Sequence, residues 1–446
     1  MNDNFSARKK GGLDPVRVRF APSPTGTLHT GGGRTVLFNY LLAKQTDGKF
    51  ILRIDDTDKE RSTKEFEAAI LSGLEWLGLS YDELYYQSKR GDLYKQSLEK
   101  LLTEDKIYWS KEEPAEEGRR SEVLRFRNPN RKIKFTDMIK GDIEFDTTEL
   151  GDFVIAKDLD TPLYHLASVV DDADLKITHI IRGEDHISNT PRQILMWEAL
   201  GAPVPVLAHL PMILAPDRSK LSKRKHAEIA SFNTFIEQGY LPEAMVNFLA
   251  LTGWNPGTEQ EVFTLAELIK AFDMAKVQKS PAIFDLEKLK WFNREHLKKL
   301  SDWDFWEKAR RFLPTSWQDG KDKLLEKIIP QIRERVSTLG EVGEMEKAGE
   351  LEYYFTAPVV TKELLKTSEF LPMTIELVER VSGMDFTAEK IKETLWDFAT
   401  EKGRGNVLWP MRTALTGREK SPDPFTVAAI IGKEETIRRL NNAKNL

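Results

Sequence analysis

Val16-Arg17-Val18-Arg19-Phe20-Ala21-Pro22-Ser23-Pro24-Thr25-Gly26-Thr27-Leu28-His29-Thr30-Gly31-Gly32-Gly33 is the stretch that decides the fold. Val16 to Phe20 alternates apolar and polar side chains and is rich in β-branched valine, the period-two signature of a strand. Pro22 and Pro24 lack an N–H and Gly26 permits a sharp turn, so the strand cannot continue. Beyond the glycines, Val36, Leu37, Tyr40 and Leu41 fall on one helical face until Asp47-Gly48 ends the run. Phe50-Ile51-Leu52-Arg53-Ile54 then reads as a second strand. A strand, helix, strand unit closes most easily as a right-handed crossover in a parallel sheet, which predicts an α/β protein. Gly31, Gly32 and Gly33 sit at the helix N-terminus, where open amides and the helix dipole attract phosphate.

A second stretch belongs with the first. Lys220-Leu221-Ser222-Lys223-Arg224 places several cations on a loop flanked by Pro, Asp and Ser. His29 can donate a hydrogen bond to a phosphate oxygen, while Lys220 and Lys223 can neutralise charge as an α-phosphate becomes five-coordinate and pyrophosphate departs. The dinucleotide fingerprint and the Gly-x-x-x-x-Gly-Lys-Ser/Thr phosphate loop are both absent. Taken singly, the glycines read equally well as a helix entry and the lysines as a solvated basic loop. Their pairing, in this order, predicts the two ends of an ATP site.

At 446 residues the chain should hold about three domains of roughly 150 residues each. Zero cysteines exclude disulfides, a cysteine nucleophile and a thiolate zinc site, and they fit a reducing cytosol. The polar start, Met1 to Lys10, is no signal segment, and no stretch of about 18 apolar residues could span a bilayer, so a soluble, cytoplasmic chain is expected. The net charge of −5 argues mildly against nucleic acid, but its distribution argues the other way. Cations gather at Arg119-Arg120 with Arg125 and Arg127, at Arg131 to Lys134, at Lys220 to Lys225, along Lys288 to Lys299 and at Arg310-Arg311. Any one cluster could be a solvated face; their recurrence suits one long RNA tracked along the protein.

Five blocks carry a resemblance. Ala21 to Gly32, Arg53-Ile54-Asp55-Asp56-Thr57-Asp58, Tyr164-His165-Leu166-Ala167, Arg182-Gly183-Glu184-Asp185-His186 and Lys220 to Arg224 resemble, in order, the glutamyl branch of the class I aminoacyl-tRNA synthetases. Class I motifs usually end the first block in a second histidine; the glutamyl branch commonly has glycine there, as Gly32 stands here. The resemblance implies a Rossmann-like class I catalytic domain with an inserted α+β acceptor-binding segment, followed by an all-α C-terminal half. Boundaries are expected at 1–95 and 161–232 for the two halves of the catalytic domain, 96–160 for the insertion, 233–305 for a stem-contact helical region and 306–446 for a helical anticodon-binding domain. Lys111-Glu112-Glu113-Pro114-Ala115-Glu116-Glu117-Gly118 reads as a charged linker inside a short insertion. From Leu241 the pattern is helical almost throughout: Ala244, Val246, Phe248, Leu249 and Leu251 form one packed helix, and Ile391, Leu395, Trp396 and Phe398, with Gly403 after them, another. These aromatics are expected in the core.

Glutamate presents two carboxylates and an ammonium, so its pocket needs two separated cations and an acid. Arg19 and Arg182 are the cations and Tyr164 a neutral donor. The resemblance assigns the side-chain carboxylate to Arg19 with Tyr164 and the α-carboxylate to Arg182, roles that the planar guanidinium suits. Asp55 is the candidate for the ammonium, where most relatives have glutamate; Ser168 stands where asparagine is frequent, and Ser23 completes the set. Glutamine would leave Arg19 facing a neutral amide, and breaking such a buried charge pair costs about 3–5 kcal/mol, so no editing domain is needed. ATP is assigned to His29, Gly31, Gly32, Lys220, Ser222 and Lys223, with His29, Lys220 and Lys223 catalytic. Magnesium is expected to ride with the ATP phosphates, Asp56 and Asp58 to be structural, and zinc to be absent.

The implied activity is ATP-dependent ligation of L-glutamate to tRNA(Glu) through glutamyl adenylate, by a chain expected to be monomeric and to activate glutamate only with tRNA bound. Charging of tRNA(Gln) stays open beside it. A small-molecule nucleotidyltransferase would not need the long helical half, a base-modifying synthetase-like enzyme lacks an anticodon domain, and a non-catalytic tRNA-binding protein would not need His29, Lys220 and Lys223. Arg335, in Arg333-Glu334-Arg335-Val336, resembles an arginine with which some relatives read the last anticodon base; a helix-surface arginine paired to an acid is the alternative.

Overall fold

The computed structural model describes residues 15–112, 122–221, 225, 226, 229, 231–314, 317 and 322–446. They fall into two compact units, one of residues up to Ile236 with Leu241–Phe292, the other of Glu237–Tyr240 with Asn293–Leu446.

The first unit is organised by β1 (Arg17–Phe20), α1 (Thr30–Gln45) and β2 (Lys49–Ile54). β1 and β2 pair in parallel, Val18 opposite Phe50 and Phe20 opposite Leu52, so the opening stretch builds the crossover its pattern predicts. β2 is buried from Phe50 to Ile54, as expected of a strand covered on both faces. After α1 the chain turns through Asp47 at a φ of 53°. A Cβ on Gly48 would lie 2.3 Å from the Val16 carbonyl oxygen; the close return of the chain to β1 requires glycine there.

The remaining strands are β3 (Glu83–Tyr86), β4 (Ile107–Lys111), β5 (Glu122–Phe126), β6 (Lys132–Asp137), β7 (Gly141–Asp146), β8 (Phe153–Asp158), β9 (Thr161–Pro162), β10 (His179–Gly183), β11 (Val206–Leu210), β12 (Ile213–Leu214) and β13 (Ala282–Ile283). The main sheet runs β3-β2-β1-β10-β11-β6-β7, parallel throughout except for the β6–β7 hairpin at its edge. Strand order reverses between β1 and β10. In an open parallel sheet, the crevice outside the strand ends at such a switch point is where ligands bind.

The helices of this unit are α2 (Lys64–Trp76), α3 (Gly91–Thr103), α4 (Tyr164–Asp174), α5 (Thr190–Leu200), α6 (Phe232–Glu237), α7 (Pro242–Leu251), α8 (Leu265–Ala271) and the start of α9 (Leu286–Lys298). One buried cluster, including Leu98 of α3, Leu124 and Ile155 of the second sheet, Val169 of α4, Ile180 of β10 and Trp197 of α5, joins these layers.

The expected insertion at 96–160 is not a module set apart from the sheet. α3 crosses its expected start, and β4-β5-β8-β9 form an antiparallel sheet of their own. The β6–β7 hairpin, however, leaves that sheet and extends the main one at β11, Leu207 opposite Asp137. The charged linker read at Lys111 to Gly118 lies, from position 113 on, outside the described residues. The expected region 233–305 spans both units: 241–292 belong to the first and 293–305 to the second. The reason is local. α7 is buried at every position from Ala244 to Ala250 and so needs cover all round. It packs against α1, where a Cβ on Gly33 would lie 3.3 Å from Leu249 and 2.3 Å from the Phe232 ring.

In the second unit every described element of residues 293–446 is helical. Ile375, Val378, Leu395, Met411, Leu415, Val427 and Leu440 are buried there. Asp423 caps the helix Pro424–Ile431 through the amides of Phe425 and Thr426, the expected chemistry for an acid one residue before Pro at a helix start. The helix read at Ile391 runs from Ala388 to Lys402 with Gly403 beyond it at a φ of 90°. Ile391 and Leu395 are buried, but Trp396 and Phe398 are only half-buried. Trp396 lies beneath Lys392 and Arg404, their charged ends 4.9 and 4.3 Å from its ring, so part of that aromatic surface faces cations and not the core.

Candidate active site

At the switch point a cleft of about 490 Å³ opens between the ends of β1 and β10. Arg19, Ser23, His29, Gly31, Gly32, Asp55, Tyr164, Ser168, Arg182 and Lys220 all border it. Ten residues singled out in the sequence, eight of them from the five blocks, thus meet in one place. Ser222 and Lys223 lie outside the described residues.

His29 is the N-cap of α1, its Nδ1 accepting the Gly32 amide at 3.1 Å. A ring nitrogen that accepts carries no proton in a neutral imidazole, so the proton is on Nε2. The Gly33 amide goes to the His29 carbonyl at 2.8 Å. The expectation of three open amides is therefore corrected: Gly32 and Gly33 spend theirs on His29, because a capped helix satisfies its first donors locally. Gly31 retains the donor role, and a Cβ there would lie 3.2 Å from the His29 ring.

Arg19 on β1 is buried and rests on Asp172 of α4, Nε to Oδ1 at 3.1 Å. The same Asp172 oxygen takes Nη1 of Arg53 at 2.7 Å. Arg53 in turn grips Asp55 with both arms, at 2.7 and 3.1 Å, and lies 3.5 Å from the Ser168 hydroxyl. Four charges thus form a chain under the cleft floor. Burial would raise the Asp172 carboxyl, but Arg19 and Arg53 outweigh it and hold the group below the ordinary aspartate range. Burial pushes Asp55 up to about 6, with Arg53 opposing. Asp55 is the assigned partner of an ammonium, yet its oxygens are already engaged by Arg53, so a ligand cation would share them. Asp171 lies a longer 3.5 Å from Arg53 Nε and takes its hydrogen bonds from Gln87 at 2.8 Å, Arg90 at 2.6 Å and Tyr94 at 2.9 Å.

Arg182, at the end of β10, donates from Nε to His209 Nε2 at 3.1 Å and from Nη2 to Thr190 Oγ1 at 2.9 Å. Burial lowers it to about 10, which still leaves the guanidinium charged at neutral pH. Tyr164 is exposed at the rim, its hydroxyl 3.3 Å from His186 Nδ1. Lys220 ends a tight hairpin in which Ala215 donates to the Ser219 carbonyl at 2.9 Å, and it pairs with Leu214. That hairpin carries the lysine to the cleft. Asp56 takes the Ser88 amide and hydroxyl at 2.8 and 2.6 Å, and Asp58 the Arg61 guanidinium at 2.7 Å; both oxygens of each acid are thus engaged within the protein.

Arg335 stands at the end of the helix Asp322–Arg335 in the second unit, ion-paired to Glu350. It takes the form of the alternative, a helix-surface arginine paired to an acid, here Glu350.

The sequence reading missed Arg53, Asp172, Asp137, His209 and Arg34. Asp172 had a signal: it closes the buried run Leu166 to Asp172 within α4, and an acid on an apolar helix face demands a cationic partner. Arg34 is buried on α1, held by the carbonyls of Thr252 and Pro211 and lowered to about 10 by burial, with Glu184 opposing. It ties the His29 end of α1 to the segment that leads into the lysine hairpin.

Residues 15–120 and 109–291 match the model of the class I tRNA synthetase catalytic domain for E and Q, and residues 304–444 match an anticodon-binding domain. A glutamate--tRNA ligase of Petrotoga mobilis is 40% identical over 96% of this chain and 97% of its own length, and one of Carboxydothermus hydrogenoformans is 38% identical over 96% and 100%. The crystal structure of a glutamate tRNA ligase from Elizabethkingia meningosepticum, in complex with its amino acid, superposes with a TM-score of 0.85 at 34% identity, covering 97% of this chain and 99% of that one. With both family models matched in order along nearly its whole length, the chain belongs to the class I tRNA synthetases of the glutamate and glutamine group.

Proposed function

We propose that this chain ligates L-glutamate to tRNA(Glu) in two steps within the switch-point cleft. The observation that carries the reading is the pair of buried arginines, Arg19 and Arg182, on adjacent strands and facing one cavity that His29 and Lys220 also border. Arg19 with Tyr164 takes the side-chain carboxylate, Arg182 the α-carboxylate, and Asp55 with Ser168 and Ser23 the ammonium side. An oxygen of the α-carboxylate attacks the α-phosphorus of ATP, the bond to the β-phosphate oxygen breaks, and pyrophosphate leaves. His29, through the Nε2 proton its cap bond fixes, and the Gly31 amide meet phosphate oxygens. Lys220 and Lys223, with Ser222 between them, stabilise the charge that develops on the pyrophosphate. A terminal ribose hydroxyl of tRNA then attacks the acyl carbon, its proton is lost, and AMP departs. No protein nucleophile is needed, because positioning and electrostatics supply the rate.

Magnesium enters with ATP in this scheme, held by phosphate and water as it commonly is, since the oxygens of Asp56 and Asp58 are engaged elsewhere. With no cysteine in the chain, a thiolate zinc site cannot form. Residues 96–160 are assigned the acceptor end of tRNA, 233–305 its stem and 306–446 its anticodon. The protein acts as a cytoplasmic monomer; among the described residues no helix is long and apolar enough to cross a membrane.

The deciding experiment is aminoacylation of purified tRNA(Glu) and tRNA(Gln), each with glutamate and with glutamine. Glutamylation of tRNA(Glu) alone supports the reading, and glutamylation of both moves the chain to the non-discriminating group. Pyrophosphate exchange should need tRNA. Robust exchange with ATP and glutamate alone would contradict the proposed order of assembly.

A further inference from the structure

Arg182 and Arg19 are held in different ways. Arg19 has a carboxylate against it, but among the described residues no acid lies within ion-pair distance of Arg182; its Nε–H points at a histidine. That histidine, His209 on β11, is fully buried, and its Nδ1 lies 2.6 Å from Oδ2 of Asp137 at the end of β6. A carboxylate can only accept, so Nδ1 carries the ring proton and Nε2 is left as an acceptor for Arg182 at 3.1 Å. Thr190 holds the other side of the guanidinium, 2.9 Å from Nη2. Asp137 is itself immobilised by the amides of Ile139 and Lys140, both at 2.9 Å, and of His209 at 3.1 Å. Neither Asp137 nor His209 borders the cleft.

We propose that the Asp137–His209 pair is a positioning device for Arg182: the carboxylate fixes the imidazole tautomer, and the imidazole aims the guanidinium without neutralising it. The chemistry explains why a neutral relay stands there. A carboxylate placed directly on Arg182 would cancel the charge a ligand carboxylate must find, as Asp172 partly does for Arg19. An imidazole supplies the same hydrogen bond and leaves the full charge for the cleft. Burial keeps His209 below its ordinary range despite Asp137, so the ring is neutral at neutral pH. The two residues thereby govern affinity for an amino acid's carboxylate from outside the cavity, and one of them comes from the β6–β7 hairpin that extends the sheet.

The inference rests on the reading that Arg182 binds the α-carboxylate, and the test separates the two. His209→Gln and His209→Asn are compared with the wild type in tRNA-dependent ATP–pyrophosphate exchange, varying amino acid and ATP in turn, with thermal unfolding alongside. Glutamine can place its amide nitrogen at Asp137 and its oxygen at Arg182; asparagine is too short to reach both. Asparagine should raise the KM for glutamate about tenfold or more, the size expected for losing a hydrogen bond to a charged group, with the KM for ATP and kcat near the wild type's. Glutamine should restore the glutamate KM. Equal glutamate KM values in all three proteins, or KM values for ATP and glutamate rising together in both variants, would overturn the relay. If the wild type exchanges with a different amino acid, the assignment of glutamate fails, while the variants' KM for that amino acid still decides the role of His209.

Discussion

Arg53 and Asp172 share one short bond, Nη1 to Oδ1 at 2.7 Å, and through it two strands and a helix are locked beneath the cleft. The same Asp172 oxygen holds Arg19, so a single carboxylate serves both the structural arginine and the one assigned to substrate. Asp172→Asn should therefore cost about 3–5 kcal/mol of stability, the usual price of breaking a buried ion pair by removing one partner. Chemical denaturation measures the loss, and a glutamate KM raised at temperatures where the variant is folded would show that Arg19 has lost its support. A variant as stable as the wild type would contradict the linkage.

His29 is at once a helix cap and the proposed phosphate donor, and these roles can be separated. Asparagine is a good N-cap, so His29→Asn should keep the Gly32 bond and unfold within about 1 kcal/mol of the wild type. Adenylate formation, followed by pyrophosphate exchange with tRNA present, should still fall by about 10²-fold, as when one preorganised donor at a transition state is removed. Undiminished exchange would leave His29 with the cap alone.

Lys223→Ala tests the lysine loop. Adenylate formation should slow by about 10²–10³-fold, the effect of deleting one charge that acts on a developing anion, with little change in thermal stability because the residue stands in a polar stretch. Wild-type exchange would falsify its assignment.

Acid should destabilise this protein early. Burial, together with the nearby arginines, lowers His165 and His186 from 6.5 to about 4. The unfolded chain thus takes up protons near pH 6.5 that the folded chain refuses until about 4, and unfolding is favoured as pH falls through that interval. Asp172 adds to the trend below it: its depressed value gives stability that is present above the ordinary aspartate range and lost as pH falls through the folded value. Melting temperatures should decline from pH 6.5 to 4, the two histidines outweighing Asp55, whose raised value of about 6 acts in the opposite sense over part of that interval, and His165→Gln should flatten the upper part of the slope. A flat profile in the variant and wild type alike would exclude the histidines as its cause.

Arg335 is ion-paired to Glu350, and a paired guanidinium can still present its remaining N–H groups to a base. The acceptor edge of C, the last anticodon base for glutamate, suits such donors better than the donor-rich edge of G, the last for glutamine. Arg335→Gln should narrow the preference between the two tRNAs while leaving tRNA-dependent glutamate activation nearly unchanged. Equal charging of both tRNAs by the unmutated protein would remove the premise.

What the sequence discloses here depends on distance along the chain. The alternation from Val16 to Phe20, the glycines at the head of α1 and the apolar spacing of α7 are local patterns, and each folds as read because strands and helices are set by near neighbours. The cleft residues were legible because they sit in, or for Arg19 and Ser168 beside, blocks with a recognisable composition. The fate of the Gly32 and Gly33 amides was not, since it depends on which ring nitrogen of His29 turns inward. Nor was the meeting of Asp137 with His209, which stand 72 positions apart in stretches with nothing unusual about them; only the pairing of β6 with β11 brings them together. The boundary at Phe292 was missed for a similar reason: the hydrophobic faces of α7 state that cover is needed, not that α1 provides it.

The β6–β7 hairpin also imposes an order on how the molecule is made. Its two strands meet through the short turn Met138–Lys140, a local contact that can form as soon as the chain has left the ribosome. Its place on the main sheet waits for β11, which is synthesised only after β8, α4 and β10. Until then the hairpin carries an open edge strand, the kind of surface that recruits wrong partners. Lys132 and Lys134 of β6, both paired to Glu144 of β7, lie away from the one register position that β11 takes, Asp137 opposite Leu207, so the edge that waits for β11 is confined to the turn end of the hairpin.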